Sequence, residues 1–225
     1  MLRAAAALGL LSLLLGASVP TSASAQVRDY APAAALRQTG NEPTLPGDLL
    51  SGEQAVGQRV VQAALARLGT PYAWGGGGPD GPTLGFCDGV NGYLNGVCMG
   101  DHTVGFDCSG LALYAWYQAT DGAVLLPHYS VDQLAAGRPV PLDQLLPGDL
   151  LFFAHPGGPV HHVGIYAGGG AMIHAEHTGT VVTILHDVAQ DPVWGPQLIA
   201  AARPTPNRAP TTATAPFAWA LPGWS

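Results

Sequence analysis

Apolar residues recur at helical spacing across residues 53–68, where Val56, Val60, Ala64, Leu65 and Leu68 alternate with Gln58, Gln62 and Arg67. This spacing predicts an amphipathic helix with Ser51 as its N-cap and Gly69 as its C-cap. A second run, residues 108–119, is almost wholly apolar and follows the polar, Gly-flanked loop Gly105-Phe106-Asp107. It predicts a buried helix, with Asp107 or Ser109 capping its exposed N–H groups. A short helical piece is expected at residues 131–135. Beyond Pro147 the pattern changes: residues 149–154, 160–167, 171–175, 181–185 and 197–202 are short, β-branched or apolar, and separated by turns such as Gly168-Gly169-Gly170 and Thr178-Gly179. Helices first and strands second is the α+β pattern, an antiparallel sheet with helices packed on it.

The ends of the chain read differently. Met1-Leu2-Arg3, an apolar run over residues 4–15 and Ala23-Ser24-Ala25 form the three parts of a secretory signal peptide, with cleavage expected after Ala25. Residues 26–52, carrying Pro32, Pro43 and Pro46, are expected to be a linker or arm, residues 53–203 the folded domain, and the Pro/Thr/Ala-rich residues 204–225 a tail. After signal cleavage no stretch is long and apolar enough to span a bilayer. The chain contains no Lys and has a net charge of −7 at pH 7, so no basic surface points to a nucleic-acid partner.

Export implies an oxidising compartment, and the chain has three cysteines, an odd number. Cys87 and Cys98 flank a Gly- and Asn-rich loop that can bend to join them, leaving Cys108 free. A zinc site pooling the three thiols with His102 lacks the paired short spacing of common structural sites. No metal or other cofactor is expected.

Cys108, at the start of a helix, is the candidate nucleophile, and the helix dipole is expected to lower its pKa. A thiolate nucleophile needs a base and a third group to orient that base. His162 is the best base. On an extended strand it shares a face with Gly164 and Tyr166, while Val163 and Ile165 face the core and His161 points away. Gly164 is expected to leave room for the helix end. His174, on the next strand, can bond the far ring nitrogen of His162. Glu176 and His177 fall in the following turn, and His102, His128 and His155 are expected in loops or at the surface, with His128 a weak candidate for the cleft. The glycines of Gly75-Gly76-Gly77-Gly78, preceded by Tyr72 and Trp74, are expected to let backbone approach a ligand closely.

Four blocks together carry a resemblance. Thr70-Pro71-Tyr72-Ala73-Trp74-Gly75-Gly76, Phe106-Asp107-Cys108-Ser109-Gly110-Leu111, Leu146-Pro147-Gly148-Asp149-Leu150-Leu151-Phe152-Phe153, and His162-Val163-Gly164-Ile165-Tyr166 followed by Met172-Ile173-His174-Ala175 resemble the NlpC/P60 cysteine peptidases, in the family's order and spacing. The resemblance implies a papain-like α+β fold and a secreted or cell-wall enzyme that hydrolyses peptidoglycan stem peptides, often between D-glutamate and diaminopimelate. It carries the nucleophile onto Cys108, the base onto His162 and the orienting residue onto His174. Tyr72, with Asp107 and Ser109 beside the nucleophile, is expected to serve the oxyanion or substrate. Residues 82–103 depart from the family core and look like an insertion beside the active-site entrance. The alternatives are an inactive cell-wall binding module, and an acyltransferase or amidase on the same scaffold.

Overall fold

The protein is described here by a computed structural model covering residues 46–205. The signal-peptide segment, most of the arm and nearly all of the tail lie outside the described residues.

Helix α1 runs Pro46–Leu65. It starts earlier than the pattern predicts, so residues 46–52 belong to the helix rather than the arm and Ser51 is an interior residue, not the N-cap. Proline suits a first helical turn, whose N–H groups have no partner inside the helix. Its Val60 and Ala64 are fully buried, as the stripe requires. After further turns the chain reaches Gly69 at φ 81°. There the Gly69 N–H donates to the Val182 carbonyl, and residues 70–73 run between residues 180–182 and Phe106.

Two small antiparallel pairs follow: β1 (Thr83–Leu84) with β4 (Val104–Gly105), and β2 (Tyr93–Leu94) with β3 (Val97–Cys98). The second hairpin turns at Asn95 and Gly96, both at positive φ, the backbone an Asn-Gly turn adopts. Helix α2 (Cys108–Ala119) begins and ends where the sequence predicts, and α3 (Ser130–Ala136) corresponds to the short helical piece.

The remaining strands are β5 (Arg138–Pro139), β6 (Leu150–Ala154), β7 (Val160–Gly168), β8 (Ala171–His174), β9 (Thr183–Leu185) and β10 (Leu198–Arg203). They form one six-stranded sheet, order β5-β10-β6-β7-β8-β9, antiparallel at every pairing. β6 is buried on both faces. Leu150 and Phe152 join the core between sheet and helices, with Val163, Ile165, Leu111 and Trp116. Leu151 and Phe153 join a second core on the far face, with Met172, Val188 and Trp194. Gly164 serves this far face. A Cβ there would lie 2.1 Å from the Met172 sulfur, so the missing side chain is replaced by methionine and not by the approach of a helix end.

An ion-pair network ties α1 to the sheet. Arg203 donates from Nε and Nη2 to the two carboxylate oxygens of Asp149, at 2.7 and 2.9 Å, and from Nη1 to Glu53. Asp149 also accepts the Leu146 N–H at 2.8 Å, which shapes the Leu146-Pro147-Gly148 turn.

Candidate active site

Cys108 is the first residue of α2, and the residue before it builds the junction. Asp107 Oδ1 accepts the Gly110 N–H at 2.6 Å and the Ser109 hydroxyl at 2.9 Å, while Oδ2 accepts the Gly75 N–H at 3.0 Å. The carboxylate therefore caps the helix and ties the Gly-rich loop to it. Gly75 sits at φ 71°, and a Cβ there would meet the Phe86 ring at 2.1 Å. That glycine answers to the protein's own packing rather than to a ligand. Asp107 and Ser109 are buried, with their polar atoms engaged in the junction.

Cys108 packs against the core between the helices and the sheet, which holds Val163 and Ile165 of β7. The partly buried thiol is pushed up to about 12, by desolvation first and then by the Asp107 charge; the N–H groups of Val163, Ser109 and Cys108 pull the other way. This reverses the expected lowering. The carboxylate that caps the helix offsets its positive end and adds a negative charge beside the sulfur.

His162 and His174 lie where the strand alternation puts them, on the face opposite Val163 and Ile165. Both are buried, and His162 Nε2 is 3.0 Å from His174 Nδ1. Burial and the neighbouring rings His174 and His161 hold His162 well below the usual imidazole range. Burial lowers His174 to about 4, opposed by the charge of Asp191. Trp194 covers this pair. Its ring stands 4.4 Å from that of His162, inclined at 33°, and edge-on to His174 at 5.5 Å. Asp191 Oδ1 fixes the turn that delivers it, accepting the N–H groups of Val193 and Trp194 at 2.8 Å.

A cleft of about 480 Å³ opens over these groups, with Cys108, His162, Tyr72, Trp74 and Trp194 in its lining. Val90, Asn91, Gly92 and Tyr93 of the disulfide loop and the turn Glu176-His177-Thr178 also line it. Cys87 and Cys98 are disulfide-bonded and close that loop, which leaves Cys108 as the free thiol of the three. Bonded to each other, those two sulfurs are not available to the pooled zinc site weighed above. Tyr72 is buried beside Cys108 and Asp107; desolvation first, then these two charges, hold its hydroxyl protonated.

His161 differs from expectation, while His155 and His128 lie in exposed loops as expected. His161 stays at the rim of the same cleft as His162, because the β6–β7 register slips between Phe153 and Ala154 and turns the strand end. His155 stacks on it at 4.4 Å and also lines the cleft. His128 reaches Asp107, with Nε2 3.1 Å from Oδ1. Trp194 and the His128–Asp107 pair were not legible in the sequence. A lone Trp in a Pro/Gly turn, and a His twenty-one positions from its partner, carry no local signal.

A free cysteine at the start of a helix and a strand-borne histidine, lining one cleft of an antiparallel sheet with helices packed on it, fit a papain-like α+β protein. The NlpC/P60 family model matches residues 69–203, more than half of the sequence, and the chain belongs to that family. Peptidoglycan endopeptidase RipB of Mycobacterium tuberculosis is 40% identical over 134 residues, covering 60% of this chain and 48% of the relative. Gamma-D-glutamyl-L-lysine dipeptidyl-peptidase of Bacillus subtilis is 36% identical over 138 residues, 60% of this chain and 38% of that protein. The chain thus spans about half or less of the length of these relatives. Among solved structures, RipD of Mycobacterium tuberculosis, described as a non-catalytic NlpC/p60 domain protein adapted to peptidoglycan binding, is 31% identical with a TM-score of 0.50, covering 67% of this chain and 98% of that one. Among the described residues no helix is long and apolar enough to cross a membrane.

Proposed function

We propose that this protein is an exported cysteine peptidase that hydrolyses peptidoglycan stem peptides, cutting next to D-glutamate, with diaminopimelate on the far side of the bond. The names of the two sequence relatives, a peptidoglycan endopeptidase and a gamma-D-glutamyl peptidase, support the substrate class. The signal-peptide pattern of residues 1–25 supports export. The observation that carries the chemistry is the His162–His174 bond of 3.0 Å, with His162 lining the cleft that holds the free Cys108.

With Nε2 of His162 engaged by His174, Nδ1 is the ring nitrogen left for Cys108. His162 then carries its proton on Nε2 and donates it to His174 Nδ1, so that Nδ1 of His162 is a free base. In the resting protein the thiol is protonated and the imidazole neutral, since one is pushed up and the other down. The proton therefore passes from sulfur to His162 as the sulfur attacks the scissile carbonyl. The backbone N–H of Cys108 and the protonated hydroxyl of Tyr72 stabilise the oxyanion. His162 next protonates the leaving amine, then takes a proton from the water that releases the acyl group. His174 acts through His162 as a positioning residue.

Purified muropeptides incubated with the wild type and with Cys108→Ala test this reading by mass spectrometry of the products. Cleavage by the first and not the second supports it. The likeness to RipD favours a second reading, a peptidoglycan-binding module without turnover. Equal inertness of both proteins, with binding retained, would establish that one instead. Transfer products in place of hydrolysis products would point to an acyltransferase.

A further inference from the structure

We propose that His128 is a positioning residue that cancels the charge of Asp107 beside the nucleophile, an inference that rests on Cys108 being that nucleophile. The junction needs a carboxylate at position 107, because three donors converge on it: the N–H groups of Gly110 and Gly75 and the Ser109 hydroxyl. All three are neutral. They hold the carboxylate in place but leave its charge next to the sulfur, where it opposes thiolate and every negative charge that develops during attack.

His128 is the cation available to offset it. Its Nε2 lies 3.1 Å from Asp107 Oδ1, with the His128 side chain 31% and the Asp107 side chain 11% exposed. The loop that carries it is fastened to α2. Gln133 Nε2 donates to the carbonyls of Ser109 and Pro127, each at 2.8 Å, locking the loop onto the first turn of the helix. Glycine at position 110 opens the approach, since a Cβ there would lie 2.9 Å from His128 Nε2.

Other cations are committed elsewhere. The chain has no Lys. Among the described residues Arg59 bonds the Ala119 carbonyl, Arg67 bonds Tyr114, and Arg138 and Arg203 pair with Glu53 and Asp149. The titratable groups around the sulfur are Asp107, Tyr72 and, across the cleft, His162. Facing His128 are Asp107 and the Gly76 carbonyl, and the bond to Asp107 raises its affinity for a proton above that of a free imidazole, against an opposing contribution from burial.

The sign of the effect follows. Below the titration of His128 the pair Asp107–His128 is neutral overall. As pH rises through the titration of His128, one negative charge beside Cys108 is left uncompensated. The benefit to the sulfur is thus present on the acid side and lost on the alkaline side.

The test is the rate at which a methanethiosulfonate modifies Cys108 in the full chain, from about pH 5.5 to about pH 9.5, so as to span the imidazole range. Wild type, His128→Gln, Asp107→Asn and the double variant are compared. Glutamine keeps an N–H to donate to Asp107 but carries no charge. His128→Gln should react roughly tenfold more slowly near pH 6 and merge with wild type at the alkaline end. In the Asp107→Asn background the same change should have no effect, a comparison that holds even if one single variant folds poorly. Superimposable wild-type and His128→Gln curves, or a constant ratio at all pH values, would overturn the proposal. The readout needs no turnover. A chain that modifies as expected yet leaves muropeptides intact sinks the peptidase reading alone, and flat curves with full turnover sink this inference alone.

Discussion

His174 Nδ1 and His162 Nε2 lie 3.0 Å apart under the ring of Trp194, so the tautomer of one imidazole fixes that of the other. In His174→Ala the His162 ring keeps its strand but loses the partner that selects Nδ1 as the base. The expected result is a fall in kcat of roughly ten- to a hundred-fold with little change in KM, and partial recovery in His174→Asn, which retains an acceptor. Cys108→Ala, by contrast, should abolish turnover. Steady-state kinetics on a defined stem peptide separate the two outcomes.

The same burial makes the fold sensitive to acid. A histidine whose folded pKa is lowered is neutral in the native state while the unfolded chain already takes up protons. Its contribution is complete above the unfolded value near 6.5 and is lost as pH falls through the folded one. His174 sets that window from about 6.5 down to about 4, and His162 acts in the same direction. Two and a half pKa units correspond to about 3 kcal/mol from His174. The thermal midpoint should therefore drop by about 10 °C between neutral pH and pH 4. His174→Asn, which cannot titrate, should show a shallower decline; an identical slope would contradict this origin.

The disulfide loop has a separable role. Cys87 and Cys98, eleven positions apart, close the loop whose residues Asn91, Gly92 and Tyr93 line the cleft. The loop packs close to the turn at residues 176–179, since a Cβ on Gly179 would lie 3.1 Å from Leu94 Cδ1. Replacing both cysteines with serine should lower stability by about 2–3 kcal/mol. It should also raise KM more than it lowers kcat, because the reacting groups sit on α2, β7 and β8 and not on the loop. Denaturant melts and substrate titrations measure the two effects independently.

What could be read from the chain was what local chemistry decides. Helix α2 was legible from Asp107 to Ala119 because the cap and the apolar run are contiguous. His162 and His174 were legible because strand alternation and a short glycine turn place them side by side. The hydrophobic pattern missed the start of α1, where residues 46–52 lack an apolar stripe, and the β2–β3 hairpin, too short to show an alternation. The direction of the Cys108 pKa was not legible, because burial of the thiol, the largest cause of its rise, and the charge of the helix's own cap are set by the fold. His128, the partner of that cap, arrives from a distant loop. The absence of a side chain at Gly164 makes room for Met172 on the neighbouring strand β8, a packing need that no local pattern reveals.

The buried pair Asp149–Arg203 should be more sensitive to losing one partner than to losing both. Asp149 is 1% exposed, and its two oxygens take Arg203 Nε and Nη2 as well as the Leu146 N–H. Asp149→Ala strands the guanidinium under the sheet with only Glu53, and removal of one partner from a buried pair costs about 3–5 kcal/mol. An apolar replacement of both, Asp149→Leu with Arg203→Met, removes the stranded charge and should recover a large part of that loss. Recovery stays incomplete, because the Leu146 N–H also loses its acceptor and the turn before β6 loosens. Urea melts of the two single variants and the double variant form the cycle that tests this. Additive losses would mean that the pair contributes little beyond its two separate side chains, and that the β6 turn is held by packing alone.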